Sequence, residues 1–387
     1  MTVGEFRRVC ASQIAAFAPD EASVLCDILL AHVLGCDRSA LLLSLDRKLE
    51  EADARRMAEA VSELSLGVPV QYIVGSCWFY NREIKVGRGC FIPRGDTEFL
   101  AAAAVAALPE GGSFADLCSG SGCVAAAIAS TLKPKKGYAL ELSRKALAYT
   151  EENLKDFDNV AVRRFDVLDE EDYLALAAEL DGGVDVLVSN PPYIPTDDIA
   201  ALDVQVHYEP ENALDGGEDG LRYYREIVRN APLILNRGGT ILFEVGIRQS
   251  DDVRKILADA GYSTACIKDD QKIERVVLGK KIDNGKKAYY YIYNSRFFVC
   301  RRPAGGKECG GRRGWGWSGS RQGQMKPSKP SCGCGSAQNA RAGGCFSARA
   351  SIWRRNSCAT AVRWNASLRP TRRWNRTARC WPASATG

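Results

Sequence analysis

The period of the apolar positions changes twice along this chain. Up to about residue 70 they recur at helical spacing. Val24, Leu25, Ile28, Leu29 and residues 31–34 form one stripe, and Ala54, Met57, Ala58, Val61 and Leu64 form another. Gly35 is placed to stop the first of these helices, because glycine takes the left-handed conformation of a helix end without steric cost. Between Trp78 and Val86 the period drops to two, the signature of a strand, and glycines and Pro93 follow. These patterns predict a helical domain over 1–75 and a β-hairpin linker over 76–95. The run Pro93-Arg-Gly-Asp-Thr-Glu98 should then open a helix, with Asp96 or Thr97 as its cap and Glu98 in the first turn.

From Ser113 to about Lys280 the pattern changes again, and short apolar runs alternate with helical stretches. That order implies βαβ units and a parallel sheet, here assigned to a domain over 96–281. Strands are expected at 114–117, 137–141, 160–165, 184–189, 240–245 and 275–279, and helices at 124–129, 221–235 and 249–260. A turn at 237–239 should separate the second helix from its strand. The closing order suits a seven-stranded sheet whose last strand is antiparallel, so the expected fold class is α/β, Rossmann-like.

Chemistry collects at the ends of the predicted strands, where open α/β sheets bind ligands. Asp116 ends the first, followed by Cys118-Ser119-Gly120-Ser121-Gly122 and a helix of small residues. Those glycines permit a tight turn and close approach of the backbone to a ligand at a helix N-terminus. Glu141 ends the second strand, where its carboxylate can accept two ribose hydroxyls. Asp166, with Val167 beside it, follows the third and is placed to meet an adenine. The fourth ends in Asn190-Pro191-Pro192-Tyr193. The prolines cannot donate to a sheet ladder and hold Asn190 out of the helical region, at the strand end. Asn-Pro alone reads as a strand terminator; three acidic strand ends followed by Asn-Pro-Pro-Tyr read as a cofactor cleft with a substrate edge.

Charge divides the chain unevenly. Residues 301–387 carry 18 Lys and Arg against the single acidic Glu308, leaving 34 basic and 46 acidic residues in the first 300, a net of −12. An acidic body argues against a non-specific nucleic-acid binder. Met1-Thr-Val-Gly-Glu-Phe-Arg-Arg lacks the pattern of a secretory signal, and the body's cysteines sit among apolar neighbours, so buried thiols in a reducing cytoplasm are expected. With only His32 and His207 in the chain, neither a metal site nor histidine catalysis is expected.

These motifs carry a resemblance. Pro69-Val-Gln-Tyr-Ile-Val-Gly75, Phe91-Ile-Pro-Arg-Gly-Asp-Thr-Glu98, Asp116-Leu-Cys-Ser-Gly-Ser-Gly122, Ser189-Asn-Pro-Pro-Tyr-Ile194, Glu209-Pro-Glu-Asn-Ala-Leu214 and Glu274-Arg-Val-Val-Leu-Gly279 are similar to blocks of the bacterial peptide chain release factor N5-glutamine methyltransferases. The resemblance implies S-adenosyl-L-methionine as cofactor, held by Asp116, residues 118–122, Glu141, Asp166, Val167 and Asn190. It implies catalysis by Asn190, Pro191 and Tyr193 on a glutamine amide of the Gly-Gly-Gln loop of release factors, with Pro192 also lining the substrate site. Two positions depart from the family: Gly95 where it usually has proline, and Cys118 where the first loop glycine is common. The alternatives are a ribosomal-protein glutamine methyltransferase, an adenine-N6 nucleic-acid methyltransferase, or a non-catalytic release-factor or ribosome binder.

The resemblance stops near Lys280. Residues 288–299 hold apolar runs that suit a strand. The basic, Arg/Gly/Cys/Trp-rich tail, within 282–387, has no apolar periodicity and is expected to be disordered, whether it contacts RNA or is not a genuine coding segment.

Overall fold

The structure, a computed structural model, describes residues 1–281, 288–293 and 296–301. Five helices open the chain: α1 (Val3–Ala15), α2 (Ala22–Leu34), α3 (Arg38–Leu43), α4 (Glu51–Ser65) and α5 (Val70–Val74). Thr2 starts α1 with a capping box, its hydroxyl accepting the Glu5 N–H while the Glu5 carboxylate accepts that of Thr2. Helix α2 is apolar around most of its circumference and forms the centre of this domain, with Leu25, Cys26, Leu29, Leu30 and Val33 buried. It ends at Gly35, which has φ 61°. Asp27 is buried on the same helix, and a lone carboxylate there would cost several kcal/mol. Arg7 from α1 and Arg38 from α3 both pair with it, so the charge ties three helices together.

The linker is the hairpin β1 (Ser76–Phe79) and β2 (Arg82–Lys85). Its two turn residues, Tyr80 and Asn81, have φ 48° and 61°, the left-handed pair that a two-residue hairpin turn demands. The Tyr80 N–H donates to the Glu98 carboxylate at 2.9 Å. Glu98 therefore anchors the hairpin as well as standing in the first turn of α6 (Thr97–Ala107). Asp96 is the N-cap residue, as expected, but its side chain makes no capping hydrogen bond and pairs instead with Arg275 at 3.1 Å, while Thr97 is buried. Around Gly95 there is open space, so nothing local requires a glycine.

The elements that follow are β3 (Ser113–Leu117), α7 (Cys123–Thr131), β4 (Lys136–Glu141), α8 (Arg144–Leu154), β5 (Val160–Arg164), α9 (Glu170–Glu179), β6 (Val184–Ser189), α10 (Arg222–Ile234), β7 (Leu235–Glu244), α11 (Ser250–Asp259), β8 (Tyr262–Lys268) and β9 (Glu274–Lys281). They form a seven-stranded sheet in the order β5-β4-β3-β6-β7-β9-β8, in which β9 alone points against the other six strands. Both faces are covered. Phe114, Val186, Val188 and Leu242 pack with α6 and α7 on one side, and Leu117, Leu187, Ile241 and Phe243 pack with Tyr173 and Tyr224 on the other. Burial on two faces is why these strands read as continuous apolar runs rather than alternating ones.

Two details differ from the expectation. The turn at 237–239 lies inside β7 as an irregularity, since Val184 pairs with Leu235 and Val186 with Thr240. Strand β8 has no clear pattern because it is an edge strand, half-buried along most of its length. The expected strand beyond the sheet is an antiparallel hairpin, β10 (Ala288–Tyr293) with β11 (Arg296–Arg301). The expectation of a disordered tail otherwise lies outside the described residues.

Candidate active site

Parallel pairing brings the predicted site residues to one edge. Leu117 pairs with Leu140 on β4 and with Ser189 on β6, and Ser189 pairs with Phe243 on β7. The next residues along these strands, Cys118, Glu141, Asn190 and Glu244, therefore leave the sheet at one level. Arg164 pairs with Glu141, so Asp166 stands just beyond the same edge. At about 4.8 Å per strand, the row from β5 to β7 spans roughly 19 Å. Strand direction of travel reverses between β3 and β6, which is where open α/β sheets form their crevice.

The left part of this row, over β3 and β4, is built mainly from backbone. Gly120 and Gly122 have φ 56° and 76°. A side chain at Gly120 would meet only open space, whereas one at Gly122 would come within 2.9 Å of Thr150. Gly120 thus faces outward and Gly122 packs inward. The Glu141 carboxylate accepts the Gly120 N–H and the Ser143 N–H, each at 2.8 Å, which fixes it beside the loop. Burial raises its pKa, and those N–H groups oppose the shift. Cys118 itself has φ 56°, the left-handed region that favours glycine, and this explains why a glycine is common at that place.

Not every expected cofactor residue reaches open space. Asp116 is 2% exposed and accepts the Ala125 N–H of α7 at 3.0 Å. It braces the loop from beneath instead of offering a carboxylate to a ligand, and burial pushes its pKa up to about 8. Ser119 and Ser121 are also buried, with hydroxyls that have no hydrogen-bond partner among the described residues. Asp166 is half-buried; its carboxylate accepts the Leu168 N–H at 2.9 Å, and its own N–H donates to Asp172. Val167 is buried and its carbonyl accepts the Tyr173 hydroxyl.

The right part, over β6 and β7, is built from side chains. Asn190 is half-buried and its Nδ2 donates to Thr97 Oγ1 at 3.3 Å, which leaves Oδ1 as the free end of the amide. Pro191 and Pro192 are buried. The Tyr193 hydroxyl donates to Glu244 Oε1 at 3.5 Å, and burial raises the phenol's pKa. Gln249 Nε2 donates to the Tyr193 carbonyl at 2.9 Å. Gly216 and Gly220 approach so closely that a side chain on either would run into the Tyr193 backbone. Nearby, Glu209 is buried, accepting the Ile92 N–H at 2.9 Å and pairing with Arg94, whose guanidinium stacks on Phe91.

Thr97, Glu244, Gln249, Gly216 and Gly220 were not singled out from the sequence. Thr97 stands in the run that reads as a helix start, and Gly216 and Gly220 carry no local signal of a close backbone approach. Glu244 had a legible signal, since it too is an acidic residue ending a parallel strand.

The fold and this edge define a Rossmann-like methyltransferase. Family models match residues 5–75 (PrmC N-terminal domain) and 96–206 (methyltransferase small domain). The chain is 34% identical over 261 residues to the release factor glutamine methyltransferase of Thermodesulfovibrio yellowstonii, covering 65% of this chain and 90% of that one. The corresponding protein of Geobacter sulfurreducens is 35% identical over 254 residues, covering 65% and 87%. A solved protein-(glutamine-N5) methyltransferase (release factor-specific) from Alicyclobacillus acidocaldarius is 26% identical with a TM-score of 0.33, covering 52% of this chain and 100% of that one. The chain belongs to the release factor glutamine methyltransferase family. Among the described residues no helix is long and apolar enough to cross a membrane, and Cys10 through Cys266 are free thiols.

Proposed function

We propose that this chain methylates the side-chain nitrogen of a glutamine in the Gly-Gly-Gln loop of peptide chain release factors, using S-adenosylmethionine. The residues fit that cofactor. Gly120 faces open space, Glu141 is fixed beside it with lone pairs left over, and Asp166 stands at the next strand end. Glu141 would take the ribose hydroxyls, the backbone of 118–122 the amino-acid end, and Asp166 with Val167 the adenine, while Asp116 acts only through the loop. When bound, the cofactor supplies an electrophilic methyl on a sulfonium.

The observation that carries the reading is the orientation of Asn190. A glutamine nitrogen is a weak nucleophile because its lone pair is shared with its carbonyl. The free Asn190 Oδ1 and the Pro191 carbonyl are two acceptors suited to its two N–H bonds. Holding both would favour a pyramidal nitrogen with its lone pair turned away from the protein acceptors, and would stabilise the positive charge that develops there. Tyr193, tethered through its hydroxyl and its carbonyl, would pack on the flat amide. No strong base is required, since the proton becomes acidic once the methyl is attached.

The test is incubation of the full chain with methyl-labelled cofactor and either a release factor or its loop Gln→Ala variant. Label is expected on the first alone; label on both, or on neither, defeats the glutamine assignment.

A further inference from the structure

Pro191 and Pro192 have no N–H to give, so the segment that leaves β6 cannot be laced to its neighbours as a strand is. What holds it comes from elsewhere. Just beyond it, the Ile194 N–H donates to the Leu214 carbonyl at 3.0 Å, and the Ile194 carbonyl accepts the Gly216 N–H at 2.8 Å. The Tyr193 carbonyl is taken by Gln249. This residue occupies the N-cap position of α11, where a short polar side chain usually caps, yet its own makes no capping bond. It joins three loops instead. Nε2 donates to the Tyr193 carbonyl at 2.9 Å and to the Gly220 carbonyl at 3.4 Å, while Oε1 accepts the Gly246 N–H at 3.0 Å.

These partners fix the amide. A glutamine side chain offers two donors on its nitrogen and acceptor sites on its oxygen. Two carbonyls and one N–H surround it here, so the reverse assignment would set oxygen against two oxygens and N–H against N–H. The packing is as close as the bonding. A side chain at Gly220 would run into the Tyr193 carbonyl and come within 2.6 Å of Gln249 Nε2. One at Gly246 would come within 2.7 Å of Gln249 Oε1 and 3.2 Å of Tyr193 Cδ2, so the backbone there lies against the Tyr193 ring. At its far end the ring is held only by the long 3.5 Å bond from its hydroxyl to Glu244. The plane of the ring is therefore set chiefly where it leaves the backbone, beside the carbonyl that Gln249 holds.

We propose that Gln249 is a positioning residue for methyl transfer: by stapling together the loops after β6, after β7 and before α10, it sets the plane of the Tyr193 ring on which the substrate amide would lie. This rests on the glutamine reading given under the proposed function. Gln249 has no assigned contact with substrate or cofactor and acts through the Tyr193 main chain. A planar amide laid on a ring that is free to tilt loses its alignment with the methyl group, and a displacement of about 1 Å can cost about 100-fold in rate. Cofactor binding, which depends on the loop 118–122 over β3 and β4, should not register the change.

The test uses the full chain carrying Gln249→Ala, which removes both halves of the amide, and Gln249→Glu, which keeps the acceptor for Gly246 and sets a second oxygen against the two carbonyls. On a release factor, kcat should fall by roughly 10- to 100-fold in Gln249→Ala and at least as far in Gln249→Glu, with cofactor Kd within about threefold. Labelling with 13C-tyrosine gives a readout free of catalysis. The Tyr193 ring resonances, recognised by their loss in Tyr193→Phe, should shift in both variants and in Gly246→Ala, which keeps the amide but presses on the ring. Full turnover by Gln249→Ala, or unmoved Tyr193 resonances in it, overturns the proposal. So does a loss of cofactor affinity equal to the loss of kcat, which would mark a general loosening of the sheet edge. If the wild type methylates no glutamine yet the Tyr193 resonances move in Gln249→Ala, the glutamine reading fails and the staple stands.

Discussion

The two halves of the catalytic edge are made of different material. Over β3 and β4, the loop 118–122 offers backbone and glycine conformations, with Asp116 and Glu141 fastening it through main-chain N–H groups. Over β6 and β7, single side-chain atoms matter: Asn190 to Thr97, Tyr193 to Glu244, Gln249 to Tyr193. A backbone-built half can accept a change of side chain wherever the φ angle and the packing allow it. On the proposed function a side-chain-built half cannot, because one lost acceptor would remove one contact to the reacting nitrogen.

The sharpest break of the comparison is Asn190→Ala. It should lower kcat by at least about 100-fold, or about 3 kcal/mol of barrier, with cofactor Kd within about threefold. Calorimetric titration beside single-turnover transfer measures both, and retained turnover would mean that the side-chain half is misread. Next is Gly122→Ala, which strikes the other half where it is least tolerant. A left-handed φ and a 2.9 Å approach to Thr150 should cost about 1–3 kcal/mol of stability and weaken cofactor binding. A urea melt and the same titration check it.

A pH profile probes what lies beneath the edge. Asp116 and Glu244 have pKa values pushed up to about 8 and about 7, in both cases chiefly by burial. A carboxyl whose folded pKa is raised stabilises the fold fully below its ordinary value and loses that contribution as the pH rises through the folded one. The melting temperature of the ligand-free chain should therefore fall from pH 5 to pH 8, and Asp116→Asn should flatten the slope. An unchanged slope removes Asp116 as its source. The smallest expected effect is that of Cys118→Gly. Relief of the left-handed strain, about 1–2 kcal/mol, is offset by glycine's larger loss of entropy on folding, about 0.5–1 kcal/mol. Stability should stay within about 1 kcal/mol and cofactor affinity within about threefold; a tenfold gain in affinity would show that this half does depend on its side chains.

The same division explains what could be read from the chain. Acidic strand ends at Asp116, Glu141 and Asp166 and the prolines after Asn190 are local signals, and parallel pairing carried them to one edge. Which way the Asp116 carboxylate turns, inward to the Ala125 N–H, is not a local signal, since being at a strand end does not say it. Thr97 stood in a motif that looked like a cap, and only its burial against β6 and β7 gives its hydroxyl another task. Glu244 lies 54 residues after Asn190, and the register Ser189 to Phe243 that makes them neighbours belongs to the assembled sheet. Gly216 and Gly220 are required by the Tyr193 backbone, a tertiary neighbour that no local pattern announces.

The placing of β9 between β7 and β8 bears on synthesis of the chain. Strand β8 precedes β9 in the sequence but reaches the sheet only through it. While the ribosome is still making residues 274–281, the outer side of β7 has no partner, and the N–H and C=O groups of 240–244 stand open beside the end that carries Glu244. Without β9, five strands and both crevice loops would stand beside an unsealed border, and β8 would have no place in the sheet.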